Sequence, residues 1–84
     1  MARKTKEEQE QQLKGFAARL SALRAERGLT VDQCAEGIGV NQEQWRAWES
    51  AADEPLLTPS VKIAKLLKTD LEFLVTGQHR QLAR

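Results

Sequence analysis

Few side chains in this chain of 84 residues are equipped for covalent chemistry. Cys34 is its one thiol and His79 its one imidazole. A lone thiol forms no internal disulfide, and without a CxxC pair or a His/Cys cluster there is no ligand set for a structural metal. Cys34 and His79 fall on separate elements, so no nucleophile is paired with a base. The residues therefore predict no catalytic site, no metal and no cofactor.

The remaining polar chemistry is that of charge, and its distribution is uneven. Lys and Arg number 13 against 12 Asp and Glu, a net +1. Residues 1–27 hold seven basic and four acidic side chains (+3), residues 28–57 one and six (−5), and residues 58–84 five and two (+3). Two basic flanks thus enclose an acidic middle, a pattern that any nucleic-acid reading must accommodate. Lys62, Lys65 and Lys68, three apart, read as one stripe that either meets phosphate or is a solvated helix face. Trp45 and Trp48, at i and i+3, read as core, because a small domain without disulfides gains most from burying large rings. Base stacking is the alternative. Cys34 sits among apolar neighbours and reads as a small buried hydrophobe.

The elements that position these groups follow from periodicity, which is helical nearly throughout. Leu13, Phe16, Ala17, Leu20 and Leu23 line one face of a first helix that ends before Gly28. Thr5 with Glu8 has the form of a capping box and extends this helix towards Lys6; the other reading is a polar arm over residues 1–12. Thr30 and Gln33 cap a second helix carrying Val31, Cys34, Ala35 and Ile38 on one side. Asn41, with Gln44 three positions on, opens a third through Trp45 and Trp48 to about Ala51. Only Gly39, Val40 and Asn41 link the two, which forces a tight helix-turn-helix corner. Ser50 to Leu57 reads as a loop. Thr58 is then the expected cap and Pro59 the first helical residue of a fourth helix with Val61, Ile63, Ala64, Leu66 and Leu67 on its apolar face. Asp70 opens a short fifth helix through Leu71, Phe73, Leu74 and Val75 to Gly77. The expected core is Phe16, Leu20, Leu23, Cys34, Ala35, Ile38, Trp45, Trp48, Ala64, Leu67 and Leu74, in an all-α domain over residues 13–77 followed by a tail at 78–84.

The ordered set of Thr30, Ala35, Gly39–Val40, Trp45 and Glu49 resembles the lambda-repressor-like helix-turn-helix family. The flanks share the likeness, through Arg19-Leu20, Leu23-Arg24 and Arg27-Gly28-Leu29-Thr30 at one end and Leu71 to Gly77 at the other. The resemblance implies a five-helix DNA-binding domain whose third helix enters the major groove. Gln42, Glu43, Gln44, Arg46 and Ala47 are then the base-reading face: Gln suits adenine, Arg suits guanine and Glu accepts from the cytosine amino group. Arg24 and Glu49 take the positions of a partly buried ion pair joining the first and third helices. Val31 stands where the family often has a phosphate-binding Gln, and Ser50 to Glu54 where it has Gly followed by basic residues. Backbone grip must then come from Arg3, Lys4, Lys6, Lys14, Arg19 and Lys62.

The function so implied is a sequence-specific transcriptional regulator of the repressor type, of phage or bacterial kind, acting on double-stranded DNA as a homodimer. Leu56, Leu57, Phe73 and Val75 are the expected dimer face. The alternative is an interaction module (an anti-repressor, antitoxin-like or phage accessory protein) that keeps the fold and turns its acidic middle to a protein partner. A third reading, a domain cut from a longer regulator, is weakened by Met1 and a tail without a linker-like stretch. MARKTKEEQEQQ lacks the hydrophobic stretch of a secretory signal, and no run approaches the ~20 apolar residues of a membrane span, so the expected compartment is cytoplasmic.

Overall fold

The computed structural model describes residues 6–78, and Arg3, Lys4, Thr5 and His79 lie outside them. Five helices follow in order: α1 (Lys6–Glu26), α2 (Val31–Ile38), α3 (Gln42–Glu49), α4 (Leu57–Leu66) and α5 (Leu71–Thr76). The fold is all-α. α1 runs without interruption from Lys6, so residues 6–12 are helical although they bring no apolar face of their own.

Phe16, Ala17, Leu20 and Leu23 of α1 are buried, and α1 packs chiefly against α5 and α3. Cys34, Ala35 and Ile38 of α2, Trp45 and Trp48 of α3, Ile63 and Ala64 of α4, Leu67 and Leu74 complete one core. The two tryptophan rings meet edge to face, 5.9 Å apart at 65°, a geometry in which one ring's positive edge meets the other's negative face.

Local chemistry sets the ends of α2 and α3. Thr30 Oγ1 accepts from the Gln33 amide at 3.0 Å while Gln33 Oε1 accepts from the Thr30 amide at 2.9 Å, a complete capping box. Gly39 closes α2 at φ 86°, and its amide donates to the Ala35 and Glu36 carbonyls. A side chain there would be strained, because only glycine enters the left-handed region at no steric cost. Asn41 Oδ1 then accepts from the Gln44 amide at 2.8 Å and starts α3 one residue later.

The fourth helix departs from expectation. It begins at Leu57 with Leu56 as its cap residue, and no side chain bonds the free amides. Pro59 is thus the third helical residue, still within the first turn where a missing N–H breaks no helical bond. Ser60 lies in this first turn: it is buried, and its amide and Oγ both donate to the Leu56 carbonyl, at 3.0 and 2.8 Å. Val61 turns outward and is exposed, while Ile63 takes the inward position. Lys68 falls past the end of α4 at φ 55°, so of the three lysines only Lys62 and Lys65 are on the helix.

Candidate nucleic-acid interface

α3 displays its polar side because both of its large rings are turned in. Trp45 and Trp48 are buried, and Gln42, Glu43 and Arg46 are exposed. Gln44 and Ala47, expected on the same open face, are only half-exposed, since they sit at the border where α3 meets the turn after it. Gln44 Nε2 donates to Asp53 Oδ2 in that turn at 3.0 Å. This contact, with the Glu54 amide at 2.9 Å, holds the Asp53 carboxyl below its usual range. At the other end of α3, Gln42 Nε2 donates to Asp32 Oδ1 of α2 at 3.0 Å, and Gln42 Oε1 accepts from Arg46 Nη2 at 3.2 Å. The exposed face is therefore a hydrogen-bonded chain, Asp32 to Gln42 to Arg46, rather than a set of independent side chains.

Beneath it, Glu49 anchors α3 to α1. Arg24 Nε donates to Glu49 Oε2 at 2.6 Å and Arg24 Nη2 to Glu49 Oε1 at 3.2 Å, a two-pronged pair. Trp45 Nε1 also donates to Glu49 Oε2, at 2.6 Å, and Arg24 Nη1 donates to the Leu29 carbonyl at 3.0 Å. The Glu49 carboxylate raises the Arg24 guanidinium above its ordinary value, against a smaller opposing effect of burial. Burial likewise pushes the neighbouring Cys34 thiol up and keeps it neutral.

The expected phosphate contacts divide. Lys6 and Lys14 on α1 and Lys62 on α4 are exposed. Arg19 is not an outward cation: its Nε donates to the Leu74 carbonyl at 2.8 Å and its Nη2 to the Val75 carbonyl at 2.7 Å, at the C-terminal end of α5. A guanidinium satisfies carbonyls that the helix leaves unpaired and meets the negative end of its dipole. Arg27 does the same for α4, its Nε donating to the Leu67 carbonyl at 2.8 Å. Local sequence signals missed both caps, because the acceptors are backbone atoms 40 or more residues away. Val31, at the family's phosphate-binding position, packs partly buried against the core.

Among the described residues no group of His, Cys, Asp and Glu is placed to hold a metal ion, and no helix is long and apolar enough to cross a membrane.

Comparison with known proteins agrees with this geometry. The helix-turn-helix family model matches residues 20–74, which contain α2, α3 and α4 whole. The chain is 33% identical over 67 residues to the cryptic phage CTXphi transcriptional repressor RstR of Vibrio cholerae, covering 80% of this chain and 60% of that protein. It is 27% identical over 66 residues to the SPbeta prophage-derived uncharacterized HTH-type transcriptional regulator YonR of Bacillus subtilis (strain 168), covering 79% of this chain and 61% of that one. The chain thus spans about three fifths of the length of these relatives. No solved structure matches it significantly. The match across the corner and the core that supports it, together with the five-helix order, shows that the chain belongs to the lambda-repressor-like helix-turn-helix family.

Proposed function

We propose that this protein is a sequence-specific DNA-binding transcriptional regulator of the repressor type, with α3 as the helix that enters the major groove. The observation that carries this is the division of α3 itself: Trp45 and Trp48 inside, and Gln42, Glu43 and Arg46 outside with Gln44 and Ala47 at the edge. These polar types match the hydrogen-bonding edges of adenine, guanine and cytosine. The names of the two relatives support the same reading, and they do not favour an interaction module that has lost DNA binding.

Backbone grip falls to Lys6, Lys14 and Lys62, with Arg3 and Lys4 available outside the described residues. So short a set predicts modest affinity, because each phosphate neutralised contributes through counterion release. A two-fold dimer offsets this by placing two α3 helices on successive half-sites. Leu56 and Leu57, 79% and 70% exposed, with Val75 are its proposed contact face; Phe73, expected there too, is partly buried against the core.

The test is selection from a random duplex library at low salt, followed by titration of the enriched duplex. One sequence class should emerge, its affinity falling steeply with salt and being lost in the Gln42→Ala, Arg46→Ala double variant. No enrichment, or binding indifferent to salt, would refute DNA reading.

A further inference from the structure

We propose that Asp32 and Asp53 are positioning residues that fix which way the amides of Gln42 and Gln44 face, and so set base preference from outside the reading helix. This inference rests on the DNA-reading role of α3. A glutamine amide has a donor end and an acceptor end of nearly the same shape, and a half-turn exchanges them. Adenine offers an acceptor, N7, beside a donor, N6, so an amide reads it only with its nitrogen at N7 and its oxygen at N6. An amide free to turn accepts adenine on either strand. One held in a single orientation accepts it on one.

Both glutamines are held. Asp32 Oδ1 only accepts, and Arg46 only donates, so Gln42 between them has its nitrogen towards α2 and its oxygen towards Arg46. Turned over, its oxygen would face the carboxylate and its NH2 the guanidinium. Gln44 has its nitrogen fixed towards the turn after α3 by Asp53 Oδ2 at 3.0 Å. Each Nε2 keeps a second N–H and each Oε1 a second lone pair, so the reading edge stays available. The Gln44 bond, with that from the Glu54 amide, in turn holds the Asp53 carboxyl below the ordinary carboxylate range.

The same two carboxylates lie beside the proposed reading helix, where negative charge opposes the phosphates. The acidic middle of the sequence then has a use: it lowers affinity for all DNA and raises discrimination among sequences. That pairing of effects distinguishes the proposal from simpler roles. Loss of a structural residue lowers affinity and discrimination together, and loss of mere repulsion raises affinity with preference intact.

The experiment runs the library selection on the full chain and on Asp32→Ala and Asp53→Ala, with Glu36→Ala, another exposed acid on α2, as the charge control. For the wild type a glutamine–adenine contact gives about five- to a hundredfold preference at its position. Each aspartate variant should bind the random pool several-fold more tightly while that preference drops to about twofold at one position, a different one for each variant. Glu36→Ala should leave the preferences unchanged. Should an alanine variant lose its helical circular dichroism, the asparagine replacement, which offers both a donor and an acceptor, carries the same expectation. Unchanged preference in both aspartate variants overturns the proposal while DNA reading stands; a wild type that enriches no sequence overturns both.

Discussion

Replacing Arg24 by alanine tests the junction that holds α3, the proposed reading helix, to α1. Loss of one partner from a fully buried pair costs about 3–5 kcal/mol, and loss of an exposed pair about 0–1 kcal/mol. Here the Arg24 and Glu49 side chains are 21% and 13% exposed, much nearer the first limit. Three hydrogen bonds vanish with Arg24, but Glu49 keeps the one from Trp45 Nε1. A loss of about 2–3 kcal/mol follows from these limits, worth roughly 10–20 °C in Tm for a domain of this size. Glu49→Ala should cost more, since it strands the guanidinium and the indole N–H together. Glu49→Gln should cost least, because an amide oxygen still accepts from Trp45 and Arg24. Urea unfolding followed by tryptophan fluorescence gives all three, with the exposed Lys65→Ala as reference. A different order, or an Arg24→Ala curve that overlays the reference, would show that the pair does not join α1 to α3 energetically.

Four further outcomes follow. Arg19→Ala should lower stability by about 1–2 kcal/mol through the lost α5 cap while leaving the DNA affinity of the folded protein unchanged, as a gel shift under native conditions would show; reduced affinity at equal folding would return Arg19 to the phosphate contacts. Leu56→Asp should move two measurements in opposite directions: monomer stability rises by about 1 kcal/mol as the helix gains a capping side chain, and dimerisation seen by sedimentation weakens. Cys34, its thiol pushed up by burial, contributes stability that is complete below the pKa of the unfolded thiol and is lost as pH rises through the higher folded value. Stability measured from pH 8 upward should fall in the wild type and be flatter in Cys34→Ala, and a thiol reagent should modify Cys34 only as fast as the chain unfolds.

What the sequence reveals here is whatever is encoded within a few residues. Thr30 with Gln33, Gly39, Asn41 and the i, i+3 spacing of the tryptophans each act on near neighbours, so α2, the corner and α3 are legible to within a residue or two. The pattern at Thr58–Pro59 is equally local and misleads: the helix already runs from Leu57, with the Ser60 amide and Oγ both on the Leu56 carbonyl and no side-chain cap at its start. The site divides in the same way. Which residues α3 turns outward follows largely from its period, whereas the ties of Gln42 to Asp32 and Gln44 to Asp53 depend on how the flanking segments fold back. Arg19 shows the largest gap. As a residue type it suggests phosphate, and only the arrival of α5 beside α1 gives it carbonyl acceptors.

Arg19 and Arg24 of α1, with Arg27 just past its end, also order events in time. Arg24, Arg27 and Arg19 find their partners 25, 40 and 55 residues downstream, on α3, after α4 and on α5 respectively. A ribosome adding about 5–20 residues per second delivers those partners over several seconds. Until α3 and then α5 arrive, the face of Phe16, Leu20 and Leu23 on α1 lacks the helices that pack on it. The domain therefore closes last at α5, and a chain stopped short of Leu74 and Val75 would leave Arg19 without these acceptors.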